Sequence, residues 1–480
     1  MRRPKSLALV LAAAAVAACA TIDSTPDAPS VSQSERQRAA QQHEQILAEF
    51  GGAVQGPQAA YVARVGERMA SAAGVPGGCT FSLVNTDVVN AFAVPGCYIY
   101  VTRGLLSIAN SEAELAYVLG HEVGHVVADH SARRQNAGLL SGLGAIAVGV
   151  LTGSGDLARL VGQGAQLFTL RYSREQEYES DDLGVRYLVR AGYDPFAAPD
   201  MLEQLQAQDA LEARTRNREA QAVPEWSRTH PLTGNRVARA VQQAQATGVP
   251  PGSRPREEAA YYAAVDGMIY GDDPEQGFVD GRTFAHPTLR IAFEAPPGFT
   301  LQNTSRAVLV QGPNGARAQF SGGRSQGSLD DHAIGVLRQL LGRTQAQVGT
   351  PRRTTINGLD AVIYPARAQT QSGVVDVTVV AYRFGPDTAY HFVSVAPAGR
   401  SGVFEPLFGS VRRLTDAQAA QLRPRRIEVV TLRAGDTVQS LANRMAFSDL
   451  RLERFLVLND LDPNTALRPG RRVKIVVYGR

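Results

Sequence analysis

The chain has 480 residues, too many for one ordinary hydrophobic core, so several domains are expected. Its hydrophobic and charged fractions, 44% and 20%, are those of an ordinary globular protein. The formal net charge is +4, but Lys5 and Lys474 are the only lysines and the arginines are scattered among acids, which excludes the basic face of a nucleic-acid binder.

Residues 1–18 read as a signal peptide. MRRPK is positive, and the apolar run SLALVLAAAAVAA is shorter than the roughly 20 residues that span a bilayer. The run ends Val16-Ala17-Ala18-Cys19, which resembles the lipobox of bacterial lipoproteins. That resemblance implies a lipidated Cys19 and, with alanine at residue 20, anchorage in the inner leaflet of the outer membrane. The alternative is an ordinary signal peptide with an incidental cysteine. Residues 19–34 follow as a lipidated tether.

Residues 35–248 form the first expected domain, mainly helical with a small sheet. Helical spacing runs from about Glu35 to Gly74, with breaks at Gly51–Gly56. CTFSLVNTDVVNAFAVPGCYIYVT then reads as short strands broken by Pro95-Gly96. Cys79 and Cys97 flank these runs and, in an oxidising compartment, can form a disulfide; the alternative is two buried thiols. SEAELAYVLGHEVGHVVADHSARR is a strong helix, with Ser111 as N-cap and Glu114 completing a capping box. The glycine-rich apolar run at 136–155 reads as a buried or site-covering helix pair, with contact to membrane or unfolded substrate as the alternative. A second long helix is expected from Ser173 to Ala191.

The chemistry starts on the first of these helices. Two histidines four apart share a helix face, so His121 and His125 can reach one zinc, and the intervening Glu122 can act as general base on a water there. A chance helix with solvated histidines is the competing reading. A hydrolytic zinc site needs a third protein ligand. His130 lies about 140° around the helix from His125 and fits a cap or a supporting role better. SREQEYESDDLG offers Glu177 and Asp181, four apart on one face. The first can bind zinc and the second can hold a ligating imidazole by its other nitrogen; a solvated acidic face, to which Glu175, Glu179 and Asp182 would belong, is the alternative.

His121-Glu122-x-x-His125 followed by Glu177-x-x-x-Asp181 resembles the HtpX- and BepA-like zinc metallopeptidases, the gluzincin peptidase family 48 of the metallo clan. NAFAVPGCYIYVTRGLL, Asn90–Leu106, is similar to the family's strand-turn-strand, with Cys97 where a glycine is usual. SRTHP, Ser227–Pro231, followed by Arg236, is similar to a downstream family motif. The resemblance implies one Zn2+ per chain on His121, His125 and Glu177, with Glu122 activating a zinc-bound water. Asp181 and Arg236 would support the ligands. His230 would either hold the site latent near the metal or support the transition state, unless it is a structural histidine beside a turn. Asn90, Ala91, Phe92, Ala93 and Val94 would form the edge strand that pairs with an extended substrate.

Residues 249–280 read as a connector, 281–416 as an α+β domain faintly resembling PsbP/Mog-like sandwiches, and 416–426 as a linker. His286, His332 and His391 lie in the α+β domain without metal spacing, and its role reads as structural or protein-binding. Residues 427–478 resemble a βααβ LysM domain, which implies peptidoglycan binding through Gly435, Asp436, Thr437 and Asn459. A module that only packs on its neighbours is the alternative. The whole reads as a lipid-anchored periplasmic zinc endopeptidase for misfolded or stalled envelope proteins. Its rivals are a latent, peptidoglycan-binding scaffold and a hydrolase of peptidoglycan peptides.

Overall fold

The computed structural model describes residues 33–131, 133, 172–215, 225–231, 234–342, 344–370 and 373–479. The signal segment, Cys19 and the glycine-rich run at 136–155 lie outside them. No helix among the described residues is long and apolar enough to cross a membrane.

The first domain is built from helices α1 (Gln33–Glu49), α2 (Pro57–Ala72), α3 (Arg103–Ile108), α4 (Glu112–Val127), α5 (Arg174–Arg190), α6 (Ala197–Thr215), α7 (Glu225–Thr229) and α8 (Gly234–Ala246). Its sheet has strands β1 (Thr80–Val84), β2 (Ala91–Val94) and β3 (Tyr98–Thr102) in the order β1-β3-β2. β1 runs parallel to β3 and β2 antiparallel to it, which leaves β2 at an edge. Cys79 and Cys97 are joined by a disulfide that ties the start of β1 to the β2–β3 turn. Helix α1 already starts at Gln33, inside the stretch expected as tether; its Ala39 and Ile46 pack with Phe92, Val94 and Tyr100 of the sheet.

Ser111 caps α4 by accepting from the Glu114 amide, as expected. The expected box is altered, however: Glu114 Oε2 reaches past the cap to accept from the Asn110 amide at 2.7 Å. Ser173 caps α5 in a complete box with Gln176. Glycines let α4 and α5 touch. A methyl group on Gly184 of α5 would lie 3.1 Å from the Tyr117 ring and 3.4 Å from the His121 backbone nitrogen; one on Gly124 of α4 would lie 3.4 Å from the Ser180 Cα. This close approach carries Glu177 and Asp181 up to the α4 histidines.

The segment expected as a connector is part of the first domain's core. Helix α9 (Glu258–Val265) buries Tyr261, Tyr262 and Val265 there, and β4 (Ile269–Tyr270) pairs with a strand of the C-terminal domain. The reason is compositional: tyrosine and valine on one short helix bury more apolar area than a solvated spacer would.

The middle domain has an eight-stranded antiparallel sheet and a four-stranded one. In the larger sheet the helix Leu329–Leu341 covers one face, and residues alternate between two cores: Val377 and Val379 face the helix, Val380 and Tyr382 the opposite side. The smaller sheet starts at Phe278, slightly before the expected boundary, and the expected linker forms a capped helix, Asp416–Gln421. The C-terminal domain is βααβ: strands Arg425–Thr431 and Arg472–Tyr478 pair antiparallel, with helices Val438–Ala442 and Arg451–Leu458 between them, and β4 adds a third strand.

Candidate metal centre

His121, Glu122 and His125 sit on α4, Glu177 and Asp181 on α5, and His230 just after α7. All are buried, at 2% exposure or less. His121, His125, Glu177 and His230 each aim one donor atom into one small space, with these atoms within 4.8 Å of one another. His121 Nε2 lies 3.0 Å from His125 Nε2 and 3.3 Å from His230 Nδ1, and Glu177 Oε1 is 3.1 Å from His230 Nδ1. Among the described residues this is the one cluster of three or more such side chains that could hold a metal.

The donor set fits a divalent metal. Converging lone pairs in a buried space repel unless a cation lies among them, and three imidazoles with one carboxylate are donors of the right type. Burial also holds the His125 imidazole well below its ordinary pKa, hence neutral, the form that ligates.

A ring of supporting groups fixes the donors. His121 Nδ1 approaches Asp181 Oδ1 at 3.0 Å without the alignment of a full hydrogen bond. Arg236 forks onto Asp181 at 2.8 and 2.7 Å, and Tyr117 donates to it at 2.8 Å. Burial alone would raise the Asp181 pKa, but the Arg236 guanidinium holds it well below the usual carboxylate range. Arg236 also lies 2.8 Å from Glu177 Oε2. On the other side, His130 Nδ1 is 2.8 Å from His125 Nδ1, and His130 Nε2 is 3.2 Å from Glu179. His130 is therefore a supporting group, as its angle on the helix suggested. Glu179 is exposed, as a solvated acidic face requires, yet it also joins this chain of contacts, and Asp182 pairs with Arg239.

Glu122 stands beside the cluster. Its Oε1 is 3.4 Å from His230 Nε2, and neither carboxylate oxygen accepts a well-formed hydrogen bond. Burial pushes its pKa above the ordinary value, against the pull of His230 and His121. Such a carboxylate is a stronger base than a solvated one.

Two aromatic residues escaped the motif reading. Tyr172 stacks on His125 with centroids 3.7 Å apart, and Trp226 stacks on His230 at 4.5 Å. Their nearness to the motifs in sequence was the available signal. Ala91–Val94 forms the edge strand expected, with Asn90 just before it, but this strand is buried: Phe92, Ala93 and Val94 are 4% exposed or less. The Asn90 backbone is held to Thr102 by three hydrogen bonds.

In the C-terminal domain, Gly435 and Thr437 are exposed and Thr437 caps the first helix. Asn459 corrects the expectation of a glycan contact. It is 2% exposed, and its amide is used inside the module: Nδ2 donates to Phe455 O and Lys474 O, and Oδ1 accepts from the Lys474 amide. In the middle domain His332 and His391 meet at 3.0 Å, with Ser321 3.2 Å from His391, a pairing that sequence spacing did not reveal.

Comparison with known proteins bears on two regions. The model of peptidase family M48 matches residues 57–244, and the LysM domain model matches residues 430–476. The chain is 33% identical over 194 residues to a beta-barrel assembly-enhancing protease of Yersinia pestis, covering 38% of each chain. It is 40% identical over 124 residues to the mitochondrial metalloendopeptidase OMA1 of Arabidopsis thaliana, covering 26% of this chain and 25% of the relative. The matches thus span well under half the length of these relatives. Among solved structures, the cyanobacterial PsbP of Synechocystis aligns with 30% of this chain at 11% identity and a TM-score of 0.23, too slight a likeness to class any domain. With the His-Glu-x-x-His helix and its carboxylate partner in place, residues 57–244 are a domain of peptidase family M48, joined in one chain to a LysM domain at residues 430–476.

Proposed function

We propose that the chain is a zinc metalloendopeptidase of the bacterial envelope, with its resting site closed by His230. The observation that carries this reading is the convergence of His121, His125, Glu177 and His230 beside the buried carboxylate of Glu122.

His121, His125 and Glu177 would hold the ion, a set that suits zinc and leaves one position for the reaction. When bound, the metal supplies a Lewis acid for the scissile carbonyl and makes a water easier to deprotonate. Glu122, whose pKa burial raises, would serve as the general base toward that water and then carry the proton to the leaving amine. Asp181, clamped by Arg236 and Tyr117, keeps the His121 ring in one orientation and makes its far nitrogen a better donor. His130 does the same for His125. β2, at the sheet edge, would pair with an extended substrate backbone, which reads main chain rather than side chains and suits unfolded proteins. Since β2 is buried and His230 aims its ring into the same space, both would have to be uncovered first.

The Yersinia relative's name points to assembly of β-barrels. By that likeness the substrates are misfolded or stalled envelope proteins, with Cys19 lipidated at the outer membrane and the LysM domain holding peptidoglycan through Gly435, Asp436 and Thr437. A second reading, a latent protease that serves as a peptidoglycan-bound scaffold, is favoured by the same closed site. The test is to offer the full chain a β-barrel protein either unfolded or folded in detergent. Cleavage of the unfolded form alone is expected; equal cleavage of both, or of neither, contradicts the quality-control reading.

A further inference from the structure

Lys474, one of two lysines in the chain, lies in the last strand of the LysM domain yet is fully buried. Its ammonium leaves its own domain. Nζ donates to Ser107 O at 2.8 Å and to Ala109 O at 2.6 Å, in the peptidase domain. These carbonyls lie at the end of α3 (Arg103–Ile108), where a helix has no internal donors left and its dipole favours a cation. Gln204 Nε2 takes the carbonyl between them, Ile108 O, and also binds Val457 O of the LysM domain.

The same few residues start α4. Asn110 donates its amide to Glu114, and Ser111 is the N-cap. The carboxyl groups of Glu114 and Asp460 face Lys474; burial pushes Glu114 up to about 7 and Lys474 down to about 7. Three turns on, α4 carries His121, Glu122 and His125. Asn459 locks Lys474 from the LysM side, through its backbone amide and carbonyl.

We propose that Lys474 is a positioning residue of the metal centre: by capping α3 it fixes the start of α4, so the LysM domain is a structural part of the peptidase site and not a detachable anchor. The bare chain end of α3 could take other angles against α4 without this ammonium, since two buried carbonyls would be left without donors. A buried amine that donates to two carbonyls sets geometry more than it adds stability. The inference rests on the protease reading above, and its test separates the two.

The experiment uses the full chain in detergent, loaded with Co2+, and compares wild type with Lys474→Met. Casein turnover and the cobalt d–d spectrum are both recorded. Lys474→Met is expected to shift the d–d bands and to lower kcat about 10-fold or more with KM unchanged. Unchanged bands and kcat overturn the inference. If Lys474→Met does not fold, Glu114→Gln/Lys474→Met removes both charges and is compared instead, with the same two outcomes expected and excluded. A wild-type chain that takes up Co2+ but cleaves nothing contradicts the protease reading alone, because the spectral comparison still decides this one.

Discussion

Nδ1 of His121 lies 3.0 Å from Oδ1 of Asp181, one helical turn beyond Glu177. The carboxylate is in turn fixed by a two-pronged guanidinium from Arg236. Asp181→Asn keeps the volume and removes the charge. Metal affinity is expected to fall about 10- to 100-fold, read by competition with a chelator. An unchanged affinity would mean that Asp181 serves only to bury Arg236.

On the proposed reading, His230 would compete for the place that a water needs. Removing it leaves His121, His125 and Glu177, enough for the ion. His230→Ala is therefore expected to keep its metal and to cleave casein faster than wild type. A variant that keeps its metal but cleaves less would assign His230 to the transition state and remove the argument for a latent site.

The disulfide between Cys79 and Cys97 spans 18 residues and holds the turn after the edge strand. A loop of about that length implies a contribution of about 3 kcal/mol. Trp226 is the only tryptophan and stacks on His230, so its fluorescence follows the peptidase domain. Urea unfolding read this way should show that loss in Cys79→Ala/Cys97→Ala; an unchanged midpoint would show the bond to be dispensable.

In the middle domain, burial and then the facing His332 push His391 down to about 4. Ser321 and His332 contact its ring, and Arg383 carries the charge that faces His332. The unfolded state binds this proton near the ordinary imidazole value of 6.5, the folded state only near 4. The domain is thus at full stability above about pH 6.5 and loses it as pH falls through 4, by about 3 kcal/mol at most. Urea midpoints between those limits should fall in wild type and flatten in His391→Asn. Parallel curves for the two proteins would contradict the account.

Much of the site was legible because its signals are local. A histidine pair four apart, a carboxylate pair four apart and Ser111 as cap all follow from local helix patterns. What escaped was long-range. Asn459 looks like a surface motif residue until Lys474 comes to lie beside it. Lys474 itself reaches Ser107 across 367 positions, a contact no local pattern encodes. Helix α9 reads as a spacer because the prolines and glycines just before it dominate that stretch, although its tyrosines belong to the peptidase core.

If Glu122 works on a water at a metal held by its neighbours, casein cleavage and metal content, measured on the same preparations of wild type and Glu122→Gln, will separate the two proteins. The account predicts that both proteins bind about one metal per chain and that only wild type cleaves, with a loss of at least about 100-fold in the variant. Equal cleavage by the two, or a wild-type chain that binds no metal, would contradict it.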